Sequence, residues 1–374
     1  MSEEKYKIPL FKLNFDKKEE LAAIKTIRSR WISSGPRVIE LEKLFSKYIG
    51  VKYSLAVTNC TASLHVAMLT AGIKDGDEVL CPSLTFAATV NAIRYVRAIP
   101  VFCDVKSEYD LTISPDEIEK NITKRTKAIV VMHYGGYACN MSRIMKIAKK
   151  YGLKVIEDSC HAPLTEYKGK KLGSIGDIGC FSFFSNKNIS TGEGGMFVTN
   201  NPNVSETAKL LRSHGMTSLS FDRAKGLSMN YDVLELGYNY RLDDIRASIA
   251  IIQLKKLQED IFKREIIRKK YISQLQNIKN LVIPFKERKG VHSNYIFSVL
   301  VLNRDNVRDY LKEKGIQTSV HYPPVHKFKI YERFTKKLPV TENAADRLLT
   351  LPMYSSLKSS QVDYICKCLK QIVK

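Results

Sequence analysis

Nothing in the 374-residue sequence approaches the roughly 20 consecutive apolar residues that a membrane-spanning helix requires. The start, Met1-Ser2-Glu3-Glu4-Lys5, is too charged for a secretory signal, so the expected location is the cytoplasm. Zinc-finger spacing, an RNA-recognition signature and a basic arm with interleaved aromatics are missing. So are a Walker lysine, a G-x-G-x-x-G turn, internal repeats and low-complexity segments. These absences argue against a nucleotide loop, a nucleic-acid module and a repeat architecture. The 8 cysteines are scattered, and without a secretory signal reduced thiols are expected. Cys366 and Cys368 form a C-x-C pair in a predicted helix, where residues two apart point to different faces, so no metal site is expected.

Charge of one sign is plentiful. The formal net charge is +22, from 60 Lys+Arg against 38 Asp+Glu. Such an excess favours anionic partners in general. The basic residues are spread along the chain, with a local excess over 255–289. This pattern reads as a lysine-rich surface, with neither nucleic acid nor membrane as a partner.

From residue 50 to 245, short β-branched runs alternate with helical stretches. Strands are predicted at 53–58, 78–81, 99–104, 128–133, 154–157, 178–184 and 195–199. Helices are predicted at 62–71, 86–96, 114–121 and 142–151. This order implies an α/β fold with a mostly parallel central sheet covered on both faces. Beyond Leu242 the texture changes. Ala250, Leu254, Leu257 and Ile261 mark one face of a long amphipathic helix. A strand at 295–301, a helix at 304–314, a strand at 317–322 and a closing helix from 359 follow. The expected organisation is a large domain over 1–250 and a smaller α+β domain over 251–374, with the N-terminal helices free to pack on the latter. Trp31-Ile32-Ser33-Ser34-Gly35-Pro36 separates two N-terminal helices and reads as a surface loop open to substrate contact.

Two segments carry chemistry. Val155-Ile156-Glu157-Asp158-Ser159-Cys160-His161 ends an apolar strand on an acid, at the edge where parallel sheets bind ligands. Lys187 stands between the aromatic run Phe181-Ser182-Phe183-Phe184 and the glycine-rich turn 190–195. A carboxylate and a lysine on neighbouring strand ends suit pyridoxal phosphate: the lysine forms a Schiff base, and the acid keeps the ring nitrogen protonated. Partly apolar surroundings are expected to lower the lysine's pKa. Asn59-Cys60-Thr61-Ala62-Ser63 follows a strand and opens a helix, where free N–H groups favour a phosphate. An ordinary cap by Asn59 or Thr61 fits that segment as well. Ser182 is a second phosphate candidate, and Phe86 offers a face for a planar ring.

Taken in order, these segments resemble the DegT/StrS-type sugar aminotransferases of the fold-type I pyridoxal-phosphate enzymes. The resemblance spans nearly the whole chain: Ser34-Gly35-Pro36, Asn59 to Leu64, Thr85-Phe86, Glu157-Asp158, Phe181 to Gly195, Arg212-Ser213-His214-Gly215, Gly237 to Leu242, His321-Tyr322-Pro323 and Leu351-Pro352. It implies roles for individual residues. Lys187 would carry the Schiff base and shuttle the proton, and Asp158 would pair with the ring nitrogen. His161, where many relatives have glutamine, would sit near the phenolic oxygen. Phe86 would stack on the ring. Thr61, Ala62 and Ser182 would hold the phosphate. Asn239 would complete the phosphate site of a partner subunit, making a homodimer the functional unit. His321 and Arg241 would contact substrate.

The implied reaction moves an amino group from L-glutamate, through pyridoxamine phosphate, to a nucleotide-linked keto sugar, with a 4-keto-6-deoxy sugar preferred. The product would serve surface-polysaccharide or amino-sugar biosynthesis. A 3-keto sugar, a keto-cyclitol or a non-catalytic binding relative are the alternatives. Two positions bear on this expectation. Cys60 stands where relatives commonly have glycine. Lys187 is lysine where a dehydrating branch of the family has histidine, which points to amino transfer.

Overall fold

A computed structural model of the chain describes residues 6–218, 221, 224–226 and 230–373. Two N-terminal helices come first, α1 (Lys17–Arg28) and α2 (Pro36–Ile49). Asp16 caps α1 through a reciprocal capping box with Glu19. Gly35 has no side chain with which to cap α2, and a distant acid supplies the acceptor. The Asp244 carboxylate accepts from the Gly35, Arg37 and Val38 N–H groups at 2.9–3.1 Å. The 30–35 loop is thereby tied to the start of the long helix Asp244–Leu275.

The large sheet is assembled from β1 (Tyr53–Val57), β2 (Glu78–Pro82), β3 (Ile99–Cys103), β6 (Thr126–Met132), β7 (Lys154–Asp158), β10 (Ile178–Ser182) and β11 (Gly195–Thr199). Two small hairpins, β4 (Val105–Ser107) with β5 (Asp110–Ile113) and β8 (Glu166–Tyr167) with β9 (Lys170–Lys171), lie outside it. The strand order is β1-β11-β10-β7-β6-β2-β3. Only β11 runs antiparallel, to both β1 and β10. Between the strands run α3 (Cys60–Thr70), α4 (Ala87–Tyr95), α5 (Pro115–Lys120) and α6 (Met141–Tyr151), with α7 (Pro202–Arg212) after β11. The middle strands are buried along most of their length, β2 throughout. That accounts for their continuous apolar runs, since a parallel sheet is covered on both faces. Separate clusters fill the two sides, one with Leu64, Val79, Val130 and Phe197, the other with Leu80, Ile129, Val131 and Ile144.

The seven predicted strands up to residue 199 are the seven strands of this sheet. The aromatic run ends as strand earlier than expected, at Ser182 rather than 184. The long helix begins at Asp244, and residue 250 lies within it. The C-terminal part holds a three-stranded sheet, β12 (Leu281–Val282), β13 (Phe297–Val301) and β14 (Leu348–Leu351), in that order, with helices Arg304–Glu313 and Ser359–Ile372.

The strand expected at 317–322 does not form. Ile316 and Ser319 make only isolated bridges, to Ile8 and Thr350. The N-terminal segment explains this, because its pairing is a single bridge at Ile8, after which Leu10 bonds to the Gln317 side chain instead of the backbone. The Gln317 N–H donates to the Ile8 carbonyl and the Leu10 N–H to the Gln317 side chain. Freed from a ladder, the chain is able to turn Tyr322 and His321 toward the large sheet.

Candidate active site

The carboxyl ends of β1, β7 and β10 and the turn after β2 converge on one cavity of about 470 Å3. Asn59, Cys60, Thr61, Phe86, Thr89, Asp158, Cys160, Ser182, Asn186, Lys187, Glu193, Tyr295, His321 and Tyr322 all reach it. The sheet edge is where an open α/β fold is expected to bind ligands.

Gly195 fixes one end of the cavity. It pairs with Val57 on one side and with Ser182 on the other. A Cβ there would lie 2.6 Å from the Asn59 carbonyl carbon and 2.8 Å from the Cys60 nitrogen. The missing side chain therefore lets the N-terminus of α3 settle on the strand ends, and Thr61 and Ser182 line the same cavity. Asn59 is the cap of α3: its Oδ1 accepts from the Ala62 N–H at 2.8 Å. Ala62 is thus already satisfied, and the Thr61 N–H is the better-placed donor for an anion. Cys60 is the first residue of the helix, so its right-handed backbone accommodates a side chain where a glycine is common. Burial, with Asp158 nearby, pushes its thiol well above the usual range, and it stays a neutral wall.

Asp158 closes β7 and is buried. The Thr89 hydroxyl donates to its Oδ2 at 2.7 Å, and the Cys160 N–H to its Oδ1 at 3.2 Å. Thr85 hydrogen-bonds in turn to Thr89 at 2.8 Å. Among the described residues no cation pairs with this carboxylate. Its neighbour Glu157 faces the other way and is structural. It meets His133 Nε2 at 2.9 Å and accepts from the Gly173, Ile175 and Gly176 N–H groups at 2.6–2.9 Å.

Lys187 lies on the turn after β10, its N–H donating to the Phe184 carbonyl. Its Nζ sits 4.2 Å from the centre of the Tyr295 ring. Burial pushes its ammonium down, as the apolar setting suggests. Tyr295, Cys160 and Asp158 outweigh that, and its pKa lies above the ordinary lysine value. The expected lowering is therefore reversed: the neighbouring acceptors offset the desolvation.

Phe86 precedes α4 at the mouth, 57% exposed, with its ring 5.8 Å from that of Tyr322. His321 lines the cavity, and its Nδ1 meets Thr350 Oγ1 at 3.1 Å. Burial and the charge of Lys187 bring its pKa down to about 4. His161 is fully buried behind the wall, its ring tilted against that of Tyr295 with 4.1 Å between centroids. Asn239 and Arg241 lie elsewhere, on the segment that bridges to Ser213 and Val57. Asn239 is exposed there, and Arg241 donates to Ser213 Oγ at 3.0 Å.

Several wall residues carried no assigned role in the sequence: Thr89, Cys160, Asn186, Glu193, Tyr295 and Tyr322. For Thr89, its spacing of one helical turn from Thr85 was the available signal. Tyr295 and Tyr322 arrive on separate C-terminal segments, and no local pattern connects them to Asp158.

Comparison with known proteins agrees with this arrangement. A family model described as the DegT/DnrJ/EryC1/StrS aminotransferase family matches residues 14–370. The spore coat polysaccharide biosynthesis protein SpsC of Bacillus subtilis is 38% identical over 96% of this chain and 95% of its own. Helicobacter pylori PseC, an aminotransferase involved in the biosynthesis of pseudoaminic acid, superposes with a TM-score of 0.90 at 28% identity, covering 98% of each chain. Streptococcus pneumoniae Spr1654, in its PMP form, does so with a TM-score of 0.90 at 26% identity over 98% of each chain. With its sheet, its buried acid and its lysine in this order, the chain belongs to the DegT/DnrJ/EryC1/StrS family of aminotransferases.

Proposed function

We propose that this aminotransferase uses pyridoxal 5'-phosphate to move an amino group from L-glutamate to a nucleotide-linked keto sugar, with 4-keto-6-deoxy sugars as the preferred class. The observation that carries the reading is the buried Asp158 carboxylate, in no salt bridge among the described residues, in one cavity with Lys187. The residues fit the cofactor. A carboxylate held by Thr89 and Cys160 has the charge to match a protonated ring nitrogen. The Thr61 N–H and the Ser182 hydroxyl line the same cavity and suit a phosphate, and Phe86 and Tyr322 offer ring faces.

Bound there, pyridoxal phosphate supplies an electron-accepting ring conjugated to the amino-bearing carbon. The rest is the work of this chain. Asp158 keeps the ring nitrogen charged. Lys187 would hold and deliver the transferred proton at its Nζ as general acid and base. The buried Tyr295 ring shields one wall of the cavity from water. Basic surface favours capture of a diphosphate-bearing sugar. A homodimer whose Asn239 reaches into the partner's phosphate end completes the proposal, and the exposure of Asn239 supports it. The polysaccharide role of SpsC supports a similar pathway class, in the cytoplasm, for this product. No described helix is long and apolar enough to cross a membrane.

A glutamate-dependent assay over a panel of nucleotide-linked 4-keto and 3-keto sugars and keto-cyclitols tests the reading. Formation of 2-oxoglutarate with a 4-keto-6-deoxy sugar is expected. Turnover confined to 3-keto substrates or cyclitols would overturn the substrate class, and no turnover with any of them the sugar assignment as a whole.

A further inference from the structure

The Tyr322 hydroxyl and His161 form a hydrogen-bonded pair that the proposed reaction leaves without a task. His161 Nε2 lies 2.9 Å from the Tyr322 hydroxyl oxygen, and the Gly135 N–H donates to His161 Nδ1 at 3.3 Å. With Nδ1 occupied as an acceptor, the proton of a neutral ring sits on Nε2 and points at Tyr322. Burial, with the charge of Lys187 and with His321, keeps the ring neutral by pushing its pKa well below the usual value. Close contact with the tilted Tyr295 ring, 4.1 Å between centroids, holds the ring in place.

The chain next to Tyr322 is equally fixed. The Tyr134 hydroxyl donates to the His321 carbonyl. Val325, three residues on, donates its N–H to the Ser83 carbonyl at 3.0 Å. Tyr322 thus accepts from His161 and has no described protein acceptor for its own hydroxyl hydrogen. Its ring lines the cavity beside Lys187, Asp158 and Phe86. Burial pushes the phenol well above its usual range, so the hydrogen stays on the oxygen. Tyr322 is half-buried, and its unused hydroxyl hydrogen at the cavity wall is a donor free for an acceptor in the cavity.

We propose that Tyr322 is the hydrogen-bond donor to a phenolate or carbonyl oxygen of the bound ligand, and that His161 is a positioning residue acting only through Tyr322. The inference rests on the proposed cofactor site. It reassigns the contact with the ring oxygen, which the resemblance gives to His161, to the tyrosine in front of it. Two oxygens share the required chemistry, the phenolate of the cofactor and the keto oxygen of the sugar.

A double-mutant cycle separates the possibilities. Tyr322→Phe, His161→Ala, His161→Gln and the double variant Tyr322→Phe/His161→Ala are compared with wild type. Pyridoxal phosphate affinity is followed by absorbance titration, and KM is measured for the sugar. Loss of one hydrogen bond predicts about a tenfold weakening in Tyr322→Phe. If the acceptor is the cofactor, the weakening falls on the dissociation constant of pyridoxal phosphate and shifts its absorbance band. If it is the sugar, the weakening falls on KM with cofactor affinity unchanged. His161→Ala should weaken the same quantity, His161→Gln should restore most of it because an N–H donor remains, and the double variant should be no worse than Tyr322→Phe. The inference is overturned if Tyr322→Phe moves neither quantity, or if the two single effects multiply in the double variant. A wild type that binds no pyridoxal phosphate would instead defeat the cofactor reading itself.

Discussion

Gly195→Ala should damage phosphate binding out of proportion to its size. The added methyl would lie 2.6 Å from the Asn59 carbonyl carbon, 2.8 Å from the Asn59 oxygen and 2.8 Å from the Cys60 nitrogen. All three are backbone atoms, so no side chain can rotate away. Either β11 or the start of α3 must shift. Overpacking of this kind costs about 1–3 kcal/mol, and in a protein of this size that lowers Tm by a few degrees. The larger consequence is local. Gly195 sits between Val57 and Ser182, so the shift separates the Thr61 N–H from the Ser182 hydroxyl. Losing one of these hydrogen bonds to a charged phosphate is expected to cost about 1.5–3 kcal/mol, at least tenfold in affinity. The assay compares pyridoxal phosphate with pyridoxal, which lacks the phosphate, by absorbance titration of wild type and variant. The ratio of the two affinities should collapse in the variant, with pyridoxal nearly unaffected. A folded variant with an unchanged ratio would refute the placement of the phosphate at this end.

Other outcomes follow from single contacts. Thr89→Val removes the 2.7 Å donor to Asp158 while keeping its shape. Cofactor affinity should fall by about tenfold or more, as for a hydrogen bond to a charged group, and an unchanged titration would contradict the role of Thr89. Glu157→Ala strips a buried carboxylate from His133 and three backbone N–H groups. It should cost at least about 4 kcal/mol, measured by urea unfolding, because buried donors are left unpaired. The buried His321 and His292 are each pushed down to about 4, by burial together with Lys187 and with Arg268 respectively. Below the ordinary histidine value the unfolded chain binds protons that the folded one refuses. Stability should therefore be lost as pH falls from about 6.5 toward 4, by up to about 3 kcal/mol per histidine. His292→Phe should flatten part of that slope in unfolding measured at pH 5 and pH 7.5, and an unchanged slope would exclude His292 as a source.

The sequence made the sheet legible because both of its faces are covered. Runs such as Thr126–Met132 and Glu78–Pro82 are apolar almost throughout, and turns and helix caps separate them cleanly. The expectation at 317–322 failed for a physical reason. Its alternating pattern matches a strand, but Ile8 takes the Gln317 N–H and Leu10 bonds only to the Gln317 side chain, and no local signal reveals a partner some 300 residues away. The same distinction holds in the site. Asp158, Ser182 and Lys187 sit on strand ends and turns whose chemistry is written locally. The lysine's environment was misjudged because Tyr295, more than 100 residues downstream, sets it. His161 has a suggestive neighbour in sequence, yet its Nε2 meets the Tyr322 hydroxyl and the ring does not line the cavity.

The central claim is that Lys187 is the amine that joins the cofactor. Purified protein incubated with pyridoxal phosphate should be yellow, and borohydride reduction should fix the group permanently. Peptide mapping of the reduced protein is then the direct measurement. The phosphopyridoxyl label should be found on Lys187, and Lys187→Ala should take up none under the same conditions. A label on another lysine, or equal labelling of the variant, would contradict the account.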